Sequence, residues 1–180
     1  QRARVRGLQS HKTKVDATDP GVRLAVNLSA RSIGDGEWRR ILDAGLLHQA
    51  RPGDRLIFEI SETSAMMLHE NVIRFMAEMQ PKGVAFALDG FGAGLTAFRH
   101  LKDFFFDLVK IDKSFVKGID KDPDNQVLAE ALVTVAHQFE MFAIADGVET
   151  EAEAAAAGSR DRGSMVTAPS PGSGSADGSS

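Results

Sequence analysis

The stretch VAFALDGFGAGLTAFRHLKDFFFDLVKID, residues 84–112, holds two apolar runs, VAFAL and LVKI, each followed at once by an aspartate. Short, nearly continuous apolar runs bounded by turn residues are expected of parallel strands covered by helices. Gly90, Gly92 and Gly94 mark the exit from the first run. The amphipathic stretch 95–104 then supplies a crossover. The segment reads as one β-α-β unit, with parallel strands and a right-handed connection.

The same unit repeats on both sides. Strands are expected over 24–29, 56–60, 84–88, 108–111 and 142–145, with helices over 37–49, 64–80, 95–104 and 125–139 and another starting at Thr150. Successive strands are about 23–34 residues apart, the size of a βαβ unit. In the second helix Met66, Met67, Ile73, Phe75, Met76 and Met79 form an apolar stripe that belongs in a core. RPGD at 51–54 and PKG at 81–83 are turn signals, and Asp122-Pro123-Asp124 opens the fourth helix. Two architectures share this pattern: an open doubly wound sheet and part of a (β/α)8 barrel. No glycine-rich phosphate loop follows the first strand, where a Rossmann fold needs one. Five units make only part of a barrel.

Composition divides the chain into three zones. Residues 1–23 carry Arg2, Arg4, Arg6, Lys12, Lys14 and Arg23 and read as a basic remnant of an upstream helix; residues 24–157 form the domain. The Gly/Ser/Pro-rich segment 158–180 is expected to lack regular structure, because it has little to bury against its ordering entropy. The whole chain is 43% hydrophobic and 26% charged with a net charge of −4, as in ordinary globular proteins. It has no cysteine, which excludes disulfides, thiolate zinc sites and a thiol nucleophile. No apolar run reaches the roughly 20 residues of a membrane span, so no membrane segment is expected in this chain; the lack of cysteine permits a reducing compartment, and the location expected is cytoplasmic, as part of a larger protein. Beyond residue 23 the basic residues are scattered, which argues against a nucleic-acid partner. His11, His48, His69, His100 and His137 read as surface or boundary residues, and Trp38 as a packing residue.

What ends each strand is the informative pattern. Asn27 interrupts VNLS, Glu59 and Glu62 lie in FEISET, Asp89 follows AFAL, Lys110 and Asp112 lie in VKID, and Asp146 and Glu149 follow AIA. Parallel α/β folds bind ligands at the C-terminal ends of their strands, so these oxygens should converge on one face. Carboxylates and an amide without His or Cys suit hard cations such as Mg²⁺ or Mn²⁺. Such ions activate water and bridge phosphate oxygens, which makes phosphoryl hydrolysis the matching chemistry. Lys110, inside an apolar strand, needs a carboxylate or the reacting water as partner.

The motifs VNLSARSI (26–33), FEISET (58–63), ALDGFGAGLTAFRHL (87–101), LVKIDKSFV (108–116) and AIADGVET (143–150) together resemble the EAL family of cyclic-di-GMP phosphodiesterases. The resemblance implies a modified (β/α)8 barrel, here partial, in which one or two Mg²⁺ or Mn²⁺ ions hold a phosphodiester that water opens to linear pGpG. By the same resemblance Asn27, Glu59 and Asp89, with Asp112 and Asp146, are metal ligands. Lys110 stands beside the nucleophilic water, Glu149 joins the catalytic set, Glu62 anchors the loop 90–95, and Ser29 and Arg31 face the substrate. It further implies an upstream sensory or GGDEF domain, and the open sheet edges of a partial barrel suggest a homodimer.

The chain also departs from the pattern. The Glu-Ala-Leu segment that names the family would lie upstream of Asn27, and the closing Gln-Gly-Tyr-x-Phe segment is missing. Asp89-Gly90 stands where paired aspartates are usual, and Asp146 where the family has Glu. Impaired hydrolysis is therefore expected, with a silent cyclic-di-GMP receptor or protein-interaction module as the alternative.

Overall fold

In a computed structural model of the chain, the described residues are 9–10, 13–14, 23–47, 56–94, 98–158 and 166–169. Two short strands, β1 (Gln9–Ser10) and β2 (Thr13–Lys14), pair antiparallel. The main sheet has six parallel strands in sequential order: β3 (Leu24–Asn27), β4 (Leu56–Ser61), β5 (Ala85–Phe91), β6 (Leu108–Ile111), β7 (Phe142–Val148) and β8 (Val166–Pro169). Sequential order is what a chain of βαβ units produces when each strand lands beside its predecessor.

The period-two alternation decides between the two architectures. Phe58, Ile60, Phe86, Leu88, Val109, Ile111, Ala143 and Ala145 are buried, whereas on the alternate face Ile57, Glu59, Ala85, Asp89, Lys110, Ile144 and Asp146 are only half-buried and the small Ala87 alone among these strands' central positions is buried too. Helices cover one face and the other is open. That is a half-barrel, not a doubly wound sheet covered on both sides. The covering layer comprises α2 (Gly36–Leu47), α4 (His69–Met79) and α6 (Pro123–Gln138), whose apolar residues join the strands in one core. Trp38 packs 6.0 Å from the rings of both Phe58 and Phe75.

Several boundaries differ from the sequence reading. Strands β5 and β7 run past Asp89 and Asp146 because each carries a bulge at an Asp-Gly pair. The register shifts between Leu88 and Phe91 and again between Ala145 and Val148, with Gly90 at φ 75° and Gly147 at φ 78°. A bulge inserts one residue and re-aims a side chain, and the left-handed conformation it uses favours glycine. The helix expected over 64–80 is two, α3 (Glu62–Met67) and α4, broken at Leu68, whose φ of −120° and ψ of 40° leave the helical region. Met67 of the expected apolar stripe is 76% exposed beside this break.

Strand β3 ends at Asn27, because Ser29 instead caps the short α1 (Ala30–Ile33). Of the helix expected over 95–104, Phe98–Asp103 is a 3-10 helix, and 95–97 lie outside the described residues. A short helix that the pattern did not reveal, α5 (Lys113–Val116), follows β6, and α7 (Glu151–Gly158) follows β7. Within 158–180, expected to be without regular structure, Val166–Pro169 forms β8 on the edge of β7. Val166 and Thr167 are β-branched residues that suit a strand, a local signal the surrounding glycine and serine obscured. The remainder of 159–180, like most of 1–22, lies outside the described residues.

Candidate active site

Alternation along β6 turns Val109 and Ile111 into the core and Lys110 toward the open face. Its ammonium lies 2.9 Å from Asp89 Oδ1 on β5, 3.5 Å from Glu59 Oε2 on β4 and 3.9 Å from Asp146 Oδ1 on β7. One cation is thus shared by carboxylates from three other strands, near the C-terminal end of the sheet. Burial works against the charged form of Lys110, but the hydrogen bond with Asp89 and the charges of Glu59, Asp89 and Asp146 outweigh it. The amine is held above its usual range. Lys110 is thus the positive charge that the three carboxylates share.

The remaining residues sit around this cluster. Asn27 is exposed at the end of β3, directly opposite Glu59 in the parallel register. Glu62, the first residue of α3, is buried, and its Oε2 accepts a hydrogen bond from the Gly94 N–H at 3.3 Å. A Cβ at Gly94 would stand 3.2 Å from the Glu62 carboxyl carbon, so glycine there permits the close approach. This contact ties the exit of β5 to the start of α3.

Asp112 and Glu149 are placed differently from Asp89 and Glu59. Asp112 caps α5, its Oδ1 accepting from the Ser114 N–H at 2.9 Å, while its Oδ2 faces Gly90. Glu149 is exposed beyond β7, with a carboxylate oxygen 4.0 Å from Lys117. Ser29 accepts from the Ser32 N–H as the cap of α1, and Arg31 is exposed on that helix.

Glu153 is a further buried carboxylate, outside the set that the strand ends supply. Glu153 accepts hydrogen bonds from the backbone N–H groups of Gly118 at 2.7 Å, Glu149 at 2.8 Å and Thr150 at 3.0 Å, while Thr150 Oγ1 accepts from the Glu153 N–H. Thr150-x-x-Glu153 is a capping box, a signal present in the sequence. It fixes the backbone at Glu149 and joins it to the turn after α5.

The donor set suits a hard divalent cation. By donor type Glu59, Asp89 and Asp146, with the Asn27 amide opposite Glu59, match the oxygen ligands that Mg²⁺, Mn²⁺ and Ca²⁺ take, although here the three carboxylates are spaced around the Lys110 ammonium rather than drawn together. A Cβ at Gly90 would have open space and lie 3.8 Å from Asp112 Oδ2. Gly90→Asp is therefore expected to cost about 1 kcal/mol for the left-handed backbone. It should also strengthen Mn²⁺ binding roughly tenfold through the added carboxylate. Thermal melting and calorimetric titration with Mn²⁺ measure the two effects; an unchanged Mn²⁺ affinity would show that position 90 does not face the ion.

Comparison with known proteins agrees with this geometry. The EAL domain family matches residues 4–162. Among relatives, the bifunctional diguanylate cyclase/cyclic di-GMP phosphodiesterase MucR of Pseudomonas aeruginosa is 30% identical over 131 residues, 72% of this chain and 19% of that protein. The cyclic di-GMP phosphodiesterase PdeR of Escherichia coli is 32% identical over 137 residues, 75% of this chain and 21% of that protein. The chain thus spans about a fifth of the length of these relatives.

Among solved structures, the MucR phosphodiesterase in complex with c-di-GMP is similar at a TM-score of 0.65 and 28% identity, over 73% of this chain and 53% of that one. The FimX EAL domain of Pseudomonas aeruginosa bound to c-di-GMP gives 0.68 and 27%, over 74% and 55%. A manganese and cyclic-di-GMP complex of Klebsiella pneumoniae BlrP1 gives 0.64 and 25%, over 73% and 34%. With its half-barrel, its strand-end carboxylates around Lys110 and a family match over most of its length, the chain belongs to the EAL domain family.

Proposed function

We propose that the strand-end site binds cyclic-di-GMP through Mg²⁺ or Mn²⁺ and hydrolyses one of its phosphodiesters slowly to linear pGpG. The observation that carries this reading is the convergence of Glu59, Asp89 and Asp146 on Lys110 at 2.9 to 3.9 Å, in a fold whose relatives include phosphodiesterases. Asn27, Glu59, Asp89 and Asp146 would hold the cation, which when bound polarises the phosphoryl group and lowers the pKa of water. Lys110, kept protonated, hydrogen-bonds and orients the attacking water and offsets the charge of the carboxylates. The water oxygen bonds to phosphorus and releases a proton to solvent, one P–O ester bond breaks, and the departing ribose oxygen takes up a proton from solvent, so that one water is consumed overall. Ser29 and Arg31 on the exposed start of α1 offer a hydroxyl and a guanidinium to the anionic ligand, the latter suited to a phosphate. Glu62 acts at a distance, by positioning the backbone at Gly94.

Slowness follows from two residues. Asp146 is one methylene shorter than the family's Glu and makes the longest of the three Lys110 contacts, and Gly90 brings no carboxylate. A displacement of about 1 Å can cost 10²-fold in rate. A silent receptor remains the second reading, favoured by Gly90. The chain is read as a cytoplasmic module of a longer protein with an upstream sensory or GGDEF domain. The edge position of β3 among the described residues supports a homodimer.

Chromatographic detection of pGpG tests the assignment. Slow, Mn²⁺-dependent production that disappears in Asp89→Asn is expected. Binding without turnover would move the chain to the receptor reading, and absence of binding would overturn both.

A further inference from the structure

The half-barrel carries a second cluster, on its helical side, that shares no residue with the Lys110 site. His69 opens α4, and His100 and Asp103 lie on the 3-10 helix Phe98–Asp103. His69 Nε2 is 3.4 Å from Asp103 Oδ2, and His100 Nδ1 is 3.7 Å from the same oxygen. One ligand atom from each of the three residues falls within 4.8 Å of the others. Two ligands about 2.0–2.1 Å from a tetrahedral zinc ion stand about 3.3–3.4 Å apart, so the two separations to Asp103 Oδ2 are close to those of a formed site.

The hydrogen-bonding pattern points the same way. His69 Nε2 is shielded from solvent and has no hydrogen-bond partner, although the Asp103 carboxylate is so near. The His69 side chain is 31% exposed as a whole, but its Nε2 approaches Asp103 without hydrogen-bond geometry, so a cation between the two atoms would satisfy both. The Phe104 ring meets the His69 ring edge-on at 4.8 Å and gives the cluster an apolar wall, while the side chains of His100 and Asp103 remain 44% and 36% exposed, leaving a way in for ion and water.

We propose that His69, His100 and Asp103 form a binding site for a divalent ion of the zinc class, completed by water. Two imidazoles and a carboxylate select Zn²⁺, Co²⁺ or Ni²⁺ over Mg²⁺, whereas the oxygen donors around Lys110 select the opposite group. The bound ion clips α4 to the 3-10 helix. Those two elements follow, in sequence, the segments that the Glu62–Gly94 contact joins.

The test uses the whole chain in excess Mg²⁺, with Zn²⁺ as the titrant and Co²⁺ as a spectroscopic substitute. One equivalent of Zn²⁺ should bind and raise the melting temperature, and Co²⁺ should show the visible absorption of a low-coordinate histidine site. His69→Gln and His100→Gln should each weaken Zn²⁺ binding at least roughly tenfold while their metal-free circular dichroism and melting stay near the parent. Asp89→Asn should leave Zn²⁺ binding unchanged. Zn²⁺ affinity unaltered in the His69→Gln/His100→Gln double variant, or lost in Asp89→Asn alone, would overturn the proposal, as would the absence of any Zn²⁺-dependent melting shift.

Discussion

Glu153→Ala is expected to destabilise the chain by about 2–4 kcal/mol at pH 7. The side chain is only 5% exposed and accepts three backbone N–H groups, which alanine would leave without an acceptor. Hydrogen bonds to a charged group contribute about 1.5–3 kcal/mol each and are not additive. The backbone bonds from Gly118, Glu149 and Thr150 lower the Glu153 pKa below its ordinary 4.5, against an opposing effect of burial. A depressed carboxylate pKa contributes stability that is present above the unfolded value and is lost as pH falls through the folded one. Urea denaturation should therefore show the gap between parent and variant at pH 7 narrowing below pH 4.5. A gap that persists unchanged in acid would mean that lost packing, not the carboxylate, is the cause.

Lys110→Met should have the larger effect on chemistry. It removes the one positive charge within 4 Å of Glu59, Asp89 and Asp146 among the described residues and leaves three acids facing one another. Breaking one side of a half-buried ion cluster should cost on the order of 1–2 kcal/mol without divalent cations. Mn²⁺ should restore part of that, because it supplies the missing charge to the same oxygens. Hydrolysis of cyclic-di-GMP should fall at least roughly 10²-fold, the usual scale for losing a positioned proton-bearing group. Binding of the dinucleotide should change much less. Turnover retained in Lys110→Met would remove Lys110 from the chemistry.

Strands β3 to β7 could be read from the sequence because each is an apolar run bounded by turn residues, and of the acids that follow those runs Glu59, Asp89 and Asp146 meet around Lys110 while Asp112 and Glu149 do not. The Asp-Gly bulges could not, since the apolar run stops at Leu88 and Ala145 while backbone pairing continues to Phe91 and Val148. Periodicity alone carried one helix through Leu68, where the backbone leaves the helical region. It likewise hid α5, whose four residues are too few to show a period and whose start depends on the Asp112 cap. Glu153 could have been found from Thr150-x-x-Glu153. The partners of Lys110, and the meeting of His69 with His100 and Asp103, depend on how separate βαβ units pack, and no local pattern encodes that.

Calorimetric titration of the chain with cyclic-di-GMP, in Mn²⁺ and again in chelator, tests the central claim most directly. Binding at least roughly tenfold tighter in Mn²⁺ is predicted, with that advantage lost in both Glu59→Gln and Asp89→Asn, because the cation links these oxygens to the phosphodiester. Equal affinity in Mn²⁺ and chelator, unaltered by either substitution, or no binding at all, would contradict the assignment of the strand-end carboxylates to a cyclic-di-GMP site.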